Sequence, residues 1–324
     1  MTHSAPLIDA ADLVRDYGTV RAVDGVDLRV DAGEVLGLLG PNGAGKSSTL
    51  GMICGTLAPS AGSVHIAGVD LIAAPRQAKR ALGYLPETPP LYPEMTVAEY
   101  LHFSAGLRGL RGQLRRRAVA GAIERCNLGA MRQRLIARLS KGYRQRTGIA
   151  QAILHDPVAI VLDEPTVGLD PIQIREIREL IAGLASDHAV ILSTHILPEV
   201  QAVCSHVQIM HRGRIAWRAA LTGDADGQAG SCLRVGLADG APLPDTLPGV
   251  RSREPLGGGR YRLHLTPGAD PTPDVARALV EAGCALHELV AEERSLEQIF
   301  VEVTAADNPA AAPPDAETQG GRAA

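Results

Sequence analysis

The sequence predicts an α/β fold built on a mostly parallel core sheet, and three observations lead to that prediction. Residues 35–39 form an apolar run of the kind that is buried on both faces of a parallel sheet, and a glycine-rich turn and a helical segment follow it. A second apolar run at 158–162 leads into an amphipathic helical pattern at 172–185. Residues 189–193 then return to a strand pattern. Strands that alternate with helices in this way favour a mostly parallel sheet.

Short strands precede the core sheet. Residues 8–14 and 26–30 carry partial apolar alternation, and turn residues at 17–18 separate them, which predicts two strands. From about residue 96 to 138 the pattern is instead helical and rich in arginine, with no strand-like run. We interpret this region as part of a helical subdomain, at about 96–157, that is inserted into the α/β core.

A second, smaller unit is predicted after the first, which covers residues 7–220. Residues 222–230 are small and polar, which predicts a linker at 221–230. Beyond it, alternating strands and a helical stretch predict a small α+β domain at 231–304. Its last helix carries four apolar residues on one face, Leu296, Ile299, Phe300 and Val303. Residues 305–324, which are rich in alanine and proline, are predicted to form a disordered tail.

Length and charge bound the function. A chain of 324 residues favours two domains. The formal charge of -4 argues against a general nucleic-acid binder, because phosphate contacts need a basic surface. A local basic run does occur at Arg108, Arg111, Arg115, Arg116 and Arg117. We interpret it as a solvated helix face, with a phosphate-binding patch as the alternative.

The sequence shows no membrane span and no disulfide framework. No stretch approaches the roughly 18 consecutive apolar residues that a spanning helix needs. The first residues lack the basic and apolar segments of a secretory signal, so a cytoplasmic location is expected. The five cysteines are scattered and include no CxxC pair, which favours reduced thiols. If a membrane is involved, another subunit must cross it.

A glycine-rich loop follows the first apolar run. It matches the pattern GxxxxGK[ST] and consists of Gly40, Pro41, Asn42, Gly43, Ala44, Gly45, Lys46 and Ser47, with Ser48 after it. In such a loop the backbone N–H groups curve around a β-phosphate, and the following helix offers its positive N-terminal end. Lys46 would reach the β and γ phosphates, and the Ser47 hydroxyl would bind Mg²⁺. The loop predicts nucleotide binding, although alone it leaves kinases and GTPases open.

Two carboxylates end the second apolar run. Asp163 and Glu164 would lie at the C-terminal edge of the sheet, where α/β proteins bind ligands. Asp163 would hold Mg²⁺ through water, and Glu164 would act on the attacking water as its general base or its orienter. The alternative is an acidic strand end before a proline turn. We expect Glu164 to be the catalytic residue.

Three further segments complete a set of five motifs: Leu85-Pro86-Glu87, the run LSKGYRQ at 139–145, and Ser193-Thr194-His195. Together with the glycine-rich loop and Asp163-Glu164, their order and spacing resemble one family, the ATP-binding subunits of ATP-binding-cassette (ABC) transporters. The resemblance covers about residues 7–220. It implies a P-loop NTPase cassette that binds ATP and Mg²⁺ and that has an antiparallel β subdomain beside the core sheet and the helical subdomain.

The segment at 139–145 resembles the family's signature sequence LSGGQ, with lysine at the third position and tyrosine at the fifth. In the family this segment opens a helix that clamps the γ-phosphate of ATP held by a partner subunit. The resemblance gives this role to Ser140 and Gly142, so hydrolysis would need a homodimer or a pairing with a second cassette. An N-capped helix at Ser140 is compatible with that role, because a capped N-terminus is itself an anion site.

The resemblance also implies roles for four other residues. His195 would be the switch histidine that contacts the γ-phosphate and supports catalysis, Asp170 would belong to the loop that crosses the dimer interface, and Tyr17 would stack on adenine. A core or strand-edge role is the alternative for Tyr17. Glu87 occupies the position at which the family usually has a glutamine. A carboxylate there can still ligate Mg²⁺, but it adds negative charge beside the phosphates.

The appended domain, which ends in the run RSLEQIF at 294–300, is similar to the C-terminal extension of ABC-2 exporter subunits. The resemblance therefore implies that two copies close around two ATP and Mg²⁺ and drive permease subunits in a separate membrane-spanning chain. Such a subunit would sit on the inner face of the cell membrane. A soluble ABC ATPase that acts on the ribosome or DNA is the main alternative, but the chain holds one cassette and residues 47–139 leave no room for a long coiled coil. A poorly hydrolysing regulator would lack Glu164 or His195, and both are present.

Overall fold

Three β-sheets organise the part of the chain that the computed structural model describes, which is residues 5–221, 232–238, 243–244, 246–266, 271–292 and 296–305. In chain order the strands are β1 (Ile8–Tyr17), β2 (Val20–Val30), β3 (Val35–Leu39), β4 (Ala61–Ile66), β5 (Val69–Asp70), β6 (Leu82–Leu85), β7 (Ala159–Asp163), β8 (Ala189–Thr194), β9 (His206–His211), β10 (Arg214–Ala220), β11 (Cys232–Leu237), β12 (Val250–Gly257), β13 (Arg260–Leu265) and β14 (Leu286–Glu292). The helices are α1 (Lys46–Ile53), α2 (Pro75–Arg80), α3 (Val97–Leu107), α4 (Gly112–Arg125), α5 (Lys141–Ile153), α6 (Pro171–Ala185), α7 (Leu197–Val203), α8 (Thr272–Glu281) and α9 (Leu296–Ala305).

The core sheet has six strands in the order β10-β9-β3-β8-β7-β6. All neighbours in it are parallel except β10 and β9, which form an antiparallel pair at one edge. A four-stranded antiparallel sheet of order β2-β1-β4-β5 lies beside it. The predicted α/β fold with a mostly parallel core sheet is therefore confirmed.

The continuous apolar runs in the core strands follow from burial on both faces of the sheet. Alternate residues of a strand point to opposite faces. In β7, Ile160 and Leu162 belong to one buried cluster, together with residues of α3, α4, α5 and α6. Ala159 and Val161 belong to a second buried cluster, which the antiparallel sheet and α1 complete. A strand with two buried faces cannot alternate with polar residues, which is why periodicity of two is absent there.

Helices α3, α4 and α5 occupy the region for which the sequence predicts a helical subdomain. Helix α3 begins with a capping box: the Thr96 side chain accepts a hydrogen bond from the backbone N–H of Glu99 at 3.3 Å, and the Glu99 carboxylate accepts one from the Thr96 backbone N–H at 2.8 Å. The buried residues Val119, Ala122 and Ile123 of α4 lie in the same cluster as the core strands. This region is thereby attached to the core sheet through a shared apolar interior.

The third sheet is antiparallel, with the order β12-β13-β11-β14. Helix α8 covers it through Val275 and Leu279, which pack with Leu233, Val235 and Leu263. Helix α9 is placed differently: its apolar residues belong to the buried cluster of the core sheet, where Leu296 and Ile299 are almost completely buried. The helical spacing of apolar residues indicated that one face of α9 is buried, but it could not indicate against which sheet.

Two predicted segments fall largely outside the residues that the structure describes. These are the linker at 221–230, apart from Leu221, and the tail at 305–324, apart from Ala305. Among the described helices, none has both the length and the apolar composition needed to cross a bilayer. Within the described residues, none of the five cysteines forms a disulfide bond.

Candidate active site

A cleft of about 400 Å³ opens at the carboxyl ends of the core strands β3, β7 and β8. Each of these strands runs directly into a segment that carries predicted site residues, because parallel strands end at the same edge of a sheet. The residues that line the cleft are Ala22, Asn42, Gly43, Ala44, Gly45, Lys46, Ser47, Ser48, Glu87, Glu164, Val167 and His195. The structure thus brings together most of the residues that the motifs singled out.

The glycine-rich loop depends on glycine at specific positions. Gly43 and Gly45 have φ angles of 81° and 105°, a region in which a side chain is strained. A Cβ atom on Gly45 would also lie 2.5 Å from the carbonyl oxygen of Ala22 and 2.8 Å from Cε of Met210. The backbone can therefore curve tightly into the start of α1, where the free N–H groups of a helix end favour an anion.

Lys46 is buried at the base of this loop. Its ammonium donates hydrogen bonds to the carbonyl oxygens of Gly40 at 2.8 Å and Pro41 at 3.3 Å. It also lies 3.4 Å from Oε1 of Glu164. A buried charge is tolerated only when it is paired and hydrogen-bonded, and these three oxygens meet that need. The ammonium is thereby held between the loop and the end of β7.

Ser193 organises the two carboxylates at the end of β7. Its hydroxyl donates to Oδ1 of Asp163 at 2.6 Å and accepts a hydrogen bond from the backbone N–H of Glu164 at 3.0 Å. Glu164 has a φ angle of 47°, the left-handed region that non-glycine residues seldom occupy. Such a conformation persists only where neighbouring groups fix it, and the Ser193 hydroxyl is one of these groups.

Asp163 is almost completely buried. Burial, the largest influence, raises the pKa of this carboxyl, and the negative charge of Glu164 raises it further. Hydrogen bonds from Ser193 and Ser47 and the charge of Lys46 act in the opposite direction. A cation beside Asp163 would therefore be favoured, because it would stabilise the charged form.

Glu164 and His195 form a pair at the mouth of the cleft. Nδ1 of His195 lies 2.9 Å from Oε2 of Glu164, and a carboxylate can only accept, so His195 donates. The Glu164 side chain is 8% exposed and that of His195 is 41% exposed. The carboxylate thus has one oxygen near the Lys46 ammonium and the other bonded to an imidazole that reaches solvent. This arrangement can orient and polarise a water molecule in the cleft.

The donor groups fit Mg²⁺ and a nucleoside triphosphate. The Ser47 hydroxyl lies 3.5 Å from Oδ1 of Asp163, and Glu87 lines the same cleft. Hydroxyl and carboxylate oxygens are the hard donors that Mg²⁺ prefers, and it usually takes one or two carboxylates together with phosphate oxygens. The glycine cradle and the α1 N-terminus suit phosphates.

Tyr17 lies beside α1. Its hydroxyl is 3.3 Å from Oγ of Ser48, and the Arg15 guanidinium stacks 4.7 Å from the centre of its ring. Tyr17 is 46% exposed, so it is a strand-end aromatic with an accessible surface and not a core residue. An exposed aromatic face next to a phosphate site can stack on a base.

Ser140, Gly142 and Asp170 do not line the cleft in this single chain. Ser140 caps α5 and accepts a hydrogen bond from the backbone N–H of Tyr143 at 3.4 Å. Gly142 is packed against the Gln173 side chain, and Asp170 caps α6 through a 2.9 Å hydrogen bond from the Gln173 backbone N–H. The two helix starts therefore lie side by side.

Sequence reasoning missed two contributors to the site. Ser193 was part of a motif but received no role, although its hydroxyl bridges both carboxylates. Ala22 lines the cleft from β2, and its carbonyl oxygen packs against Gly45. Ser193 reaches both carboxylates because it lies opposite Asp163 in the β7–β8 pair, and the register of parallel strands cannot be read from the sequence.

Comparison with known proteins agrees with this geometry. A family model described as "ABC transporter" matches residues 23–167. The chain is 36% identical over 211 residues to the bacitracin transport ATP-binding protein BcrA of Bacillus licheniformis, covering 64% of this chain and 68% of that protein. It is 31% identical over 301 residues to the Nod factor export ATP-binding protein I of Burkholderia orbicola, covering 92% of this chain and 96% of that protein.

Solved structures support the same assignment. An ATP-binding subunit of an ABC transporter superposes with a TM-score of 0.61 at 34% identity, covering 66% of this chain and 90% of that chain. A dimeric ATP-binding cassette bound to ADP and phosphate has the same fold, with a TM-score of 0.60 at 22% identity, covering 67% of this chain and 99% of that chain. Relatives above 30% identity that the chain covers over most of their length establish the relationship: this chain belongs to the family of ABC transporter ATP-binding proteins.

Proposed function

We propose that this chain hydrolyses ATP as the cytoplasmic motor subunit of an ABC-2-type exporter, bound peripherally at the inner face of the membrane. The observation that carries the hydrolysis is the position of Glu164, whose carboxylate contacts both Lys46 and His195 at the mouth of the cleft. Export is supported by relatives whose names refer to bacitracin transport and Nod factor export.

In this proposal Glu164 holds the attacking water and takes up or directs its proton. His195 keeps the Glu164 carboxylate oriented through the 2.9 Å hydrogen bond and contacts the γ-phosphate. Lys46 exchanges its bonds to the loop carbonyls for phosphate oxygens. Ser47, Asp163 and Glu87 would hold Mg²⁺, which would supply positive charge beside the β and γ phosphates. Tyr17 stacks on the adenine.

Two copies of the chain, or this chain and a second cassette, are proposed to close around two ATP molecules. The support is that Ser140 is exposed at the start of α5 and does not line the cleft of its own chain, so its hydroxyl is accessible to the γ-phosphate of a partner's ATP. Gly142 lies in the same first turn of α5. Asp170 would lie in the same interface. Closure needs a ligand that binds the closed state more tightly, and contacts to the γ-phosphate supply that difference.

The proposed permease is a separate membrane-spanning chain, and no nucleic-acid partner is expected. The test is affinity purification of the tagged chain from detergent-solubilised membranes, with the ATPase rate and the co-purifying proteins measured together. We expect a polytopic membrane protein that changes the ATPase rate. A Lys46→Ala variant, purified in parallel, shows whether the membrane protein still co-purifies when nucleotide binding is impaired. Recovery of ribosomes or nucleic acid without a membrane protein would contradict the export proposal and leave the ATPase chemistry standing.

A further inference from the structure

A buried carboxylate behind the cleft joins the two segments that carry Glu164 and His195. Glu199, in α7, is 1% exposed. Its Oε1 accepts a hydrogen bond from the Thr166 hydroxyl at 2.5 Å, and its Oε2 accepts one from the Thr194 hydroxyl at 2.7 Å. Both threonines are also almost completely buried. The carboxylate therefore holds one hydroxyl on each oxygen.

The two threonines are close in sequence to the catalytic pair. Thr166 lies two residues after Glu164, and Thr194 directly precedes His195. Thr166 lies in the segment that follows β7, whereas Thr194 is the last residue of β8. The last paired residues of β7 and β8 are Asp163 and Ser193. By binding both hydroxyls, the Glu199 carboxylate adds a link between the segment after β7 and the end of β8, beyond that last pair.

Local helix stabilisation alone does not explain this contact. Glu199 lies in the first turn of α7, where a carboxylate is favourable because of the helix dipole. That role needs no contact to Thr166, which comes from another segment 33 residues away. Taking a carboxylate out of water is unfavourable unless its oxygens are hydrogen-bonded, and hydroxyl bonds to a charged oxygen are short and strong. The two short bonds therefore resist separation of the segments.

The Glu164 backbone is strained, and so its placement depends on such supports. Its positive φ angle is supported on one side by Ser193, whose hydroxyl oxygen accepts a hydrogen bond from the Glu164 backbone N–H. On the other side the next anchored side chain is Thr166, through Glu199. We propose that Glu199 is a positioning residue for ATP hydrolysis: by binding Thr166 and Thr194 it sets the relative position of Glu164 and His195. This inference rests on the hydrolytic roles proposed above for that pair.

The most direct test removes one hydroxyl without changing side-chain volume. In Thr166→Val the bond to Glu199 is lost, and kcat for Mg-ATP should fall by at least about 10-fold while KM changes by less than about 3-fold, because misplacement affects chemistry more than binding. Thr166→Ser restores the hydroxyl and should return kcat to within about 3-fold of the original. Thr194→Val and Thr194→Ser should behave in the same way.

Thr147→Val is the matched control. Thr147 is fully buried and its hydroxyl donates to the Tyr143 carbonyl at 2.7 Å, but it does not contact Glu199. Its loss should lower thermal stability and leave kcat within about 2-fold. If Thr166→Val does not fold, Glu199→Gln is the second variant, since the amide NH2 group cannot accept a hydrogen bond and at most one of the two threonine hydroxyls can still donate to residue 199. Combining Glu199→Gln with Thr166→Val or Thr194→Val should then reduce kcat by a further factor of less than about 2, because the single variants already disrupt the same contact through Glu199.

The outcomes separate the inference from the function on which it rests. If Glu164→Gln loses turnover while Thr166→Val and Glu199→Gln keep it, the positioning role is wrong and the proposed function stands. If Glu164→Gln itself turns over ATP normally, the proposed function fails first. If the valine variants lose kcat, ATP affinity and thermal stability in parallel with Thr147→Val, Glu199 has only a structural role and the inference is overturned.

Discussion

His195 donates a hydrogen bond from Nδ1 to Oε2 of Glu164 across 2.9 Å, and it joins the ends of two neighbouring parallel strands. In the register of these strands Asp163 lies opposite Ser193. Glu164 directly follows the end of β7 at Asp163, and His195 directly follows the end of β8 at Thr194. The Glu164–His195 pair is therefore a product of sheet register as much as of residue type.

Removal of the imidazole should slow hydrolysis without preventing nucleotide binding. For His195→Ala we expect kcat to fall by about 100-fold, since a positioned donor near the reacting phosphate is lost. ATP affinity should change little, because the glycine-rich loop is intact. His206→Ala is a matched control, because the His206 side chain is 42% exposed and lies 3.8 Å from Glu34, away from the cleft. Steady-state ATPase assays with fluorescent-nucleotide titration measure both quantities; equal kcat values for the two variants would contradict the role.

Two alanine substitutions in the glycine-rich loop should distinguish the destabilisation due to backbone strain from that due to steric conflict. Gly43→Ala has open space around the new methyl group, so it should cost only the strain of a positive φ, about 1–2 kcal/mol. Gly45→Ala meets the Ala22 carbonyl oxygen and Met210 as well, and should destabilise more and abolish ATP binding.

Gly183→Ala is the control for these two changes, because Gly183 lies within α6 with nothing near the new methyl group. It should stabilise the protein by about 0.5–1 kcal/mol, since alanine favours a helix. Chemical denaturation of all three variants gives the order Gly183→Ala, Gly43→Ala, Gly45→Ala from most to least stable, and any other order would refute the strain argument.

Asp163 should make the nucleotide-free protein less stable as pH rises. Burial raises the pKa of this carboxyl in the folded state above its ordinary value of 3.8. The folded state then holds the proton to higher pH than the unfolded state, so stability is lost as pH increases through the raised pKa. Asp163→Asn has no such charge. The Tm of Asp163→Asn relative to the original protein should therefore increase from acid to neutral pH in thermal-unfolding scans; a difference that is constant or decreases with pH would exclude this effect.

Substitutions of Ser140 can separate its role as the N-cap of α5 from its proposed role in binding the γ-phosphate. Aspartate is as good an N-cap as serine, so Ser140→Asp should leave the free energy of unfolding within about 1 kcal/mol. Its negative charge would repel the γ-phosphate of the partner's ATP, so ATP-dependent dimers should disappear. Ser140→Ala loses the cap and should cost about 1 kcal/mol. Light scattering with ATP compares the variants, and normal dimerisation of Ser140→Asp would exclude Ser140 from the interface.

The sequence predicted the elements whose residues carry a strong local signal. The apolar run at 35–39 coincides with β3, and the amphipathic pattern at 172–185 coincides with α6 apart from one residue at its start. Strand β12 gave no such signal, since Val250–Gly257 contains a proline and a glycine and is almost entirely exposed. Its pairing with β13 is a tertiary property that exposed residues do not encode as periodicity.

The residues of the candidate site also fall into those that a local motif identifies and those that depend on tertiary contacts. The glycine-rich loop, Asp163 and Glu164 could be identified because motif and strand context occur within a few residues. The bridging role of Ser193 and the contact of Glu199 with Thr166 depend on side chains 29 to 33 residues apart in sequence. Such contacts follow from strand register and helix placement, which are set by packing of the entire core.

The most direct measurement of the central claim is ATP turnover and oligomeric state for Glu164→Gln in one experiment, with Mg-ATP and size-exclusion chromatography. We predict that kcat falls by about 100-fold or more while ATP still binds, and that a dimer with bound ATP accumulates because it cannot reopen by hydrolysis. Unimpaired turnover, or a monomer that binds ATP without dimerising, would contradict the account.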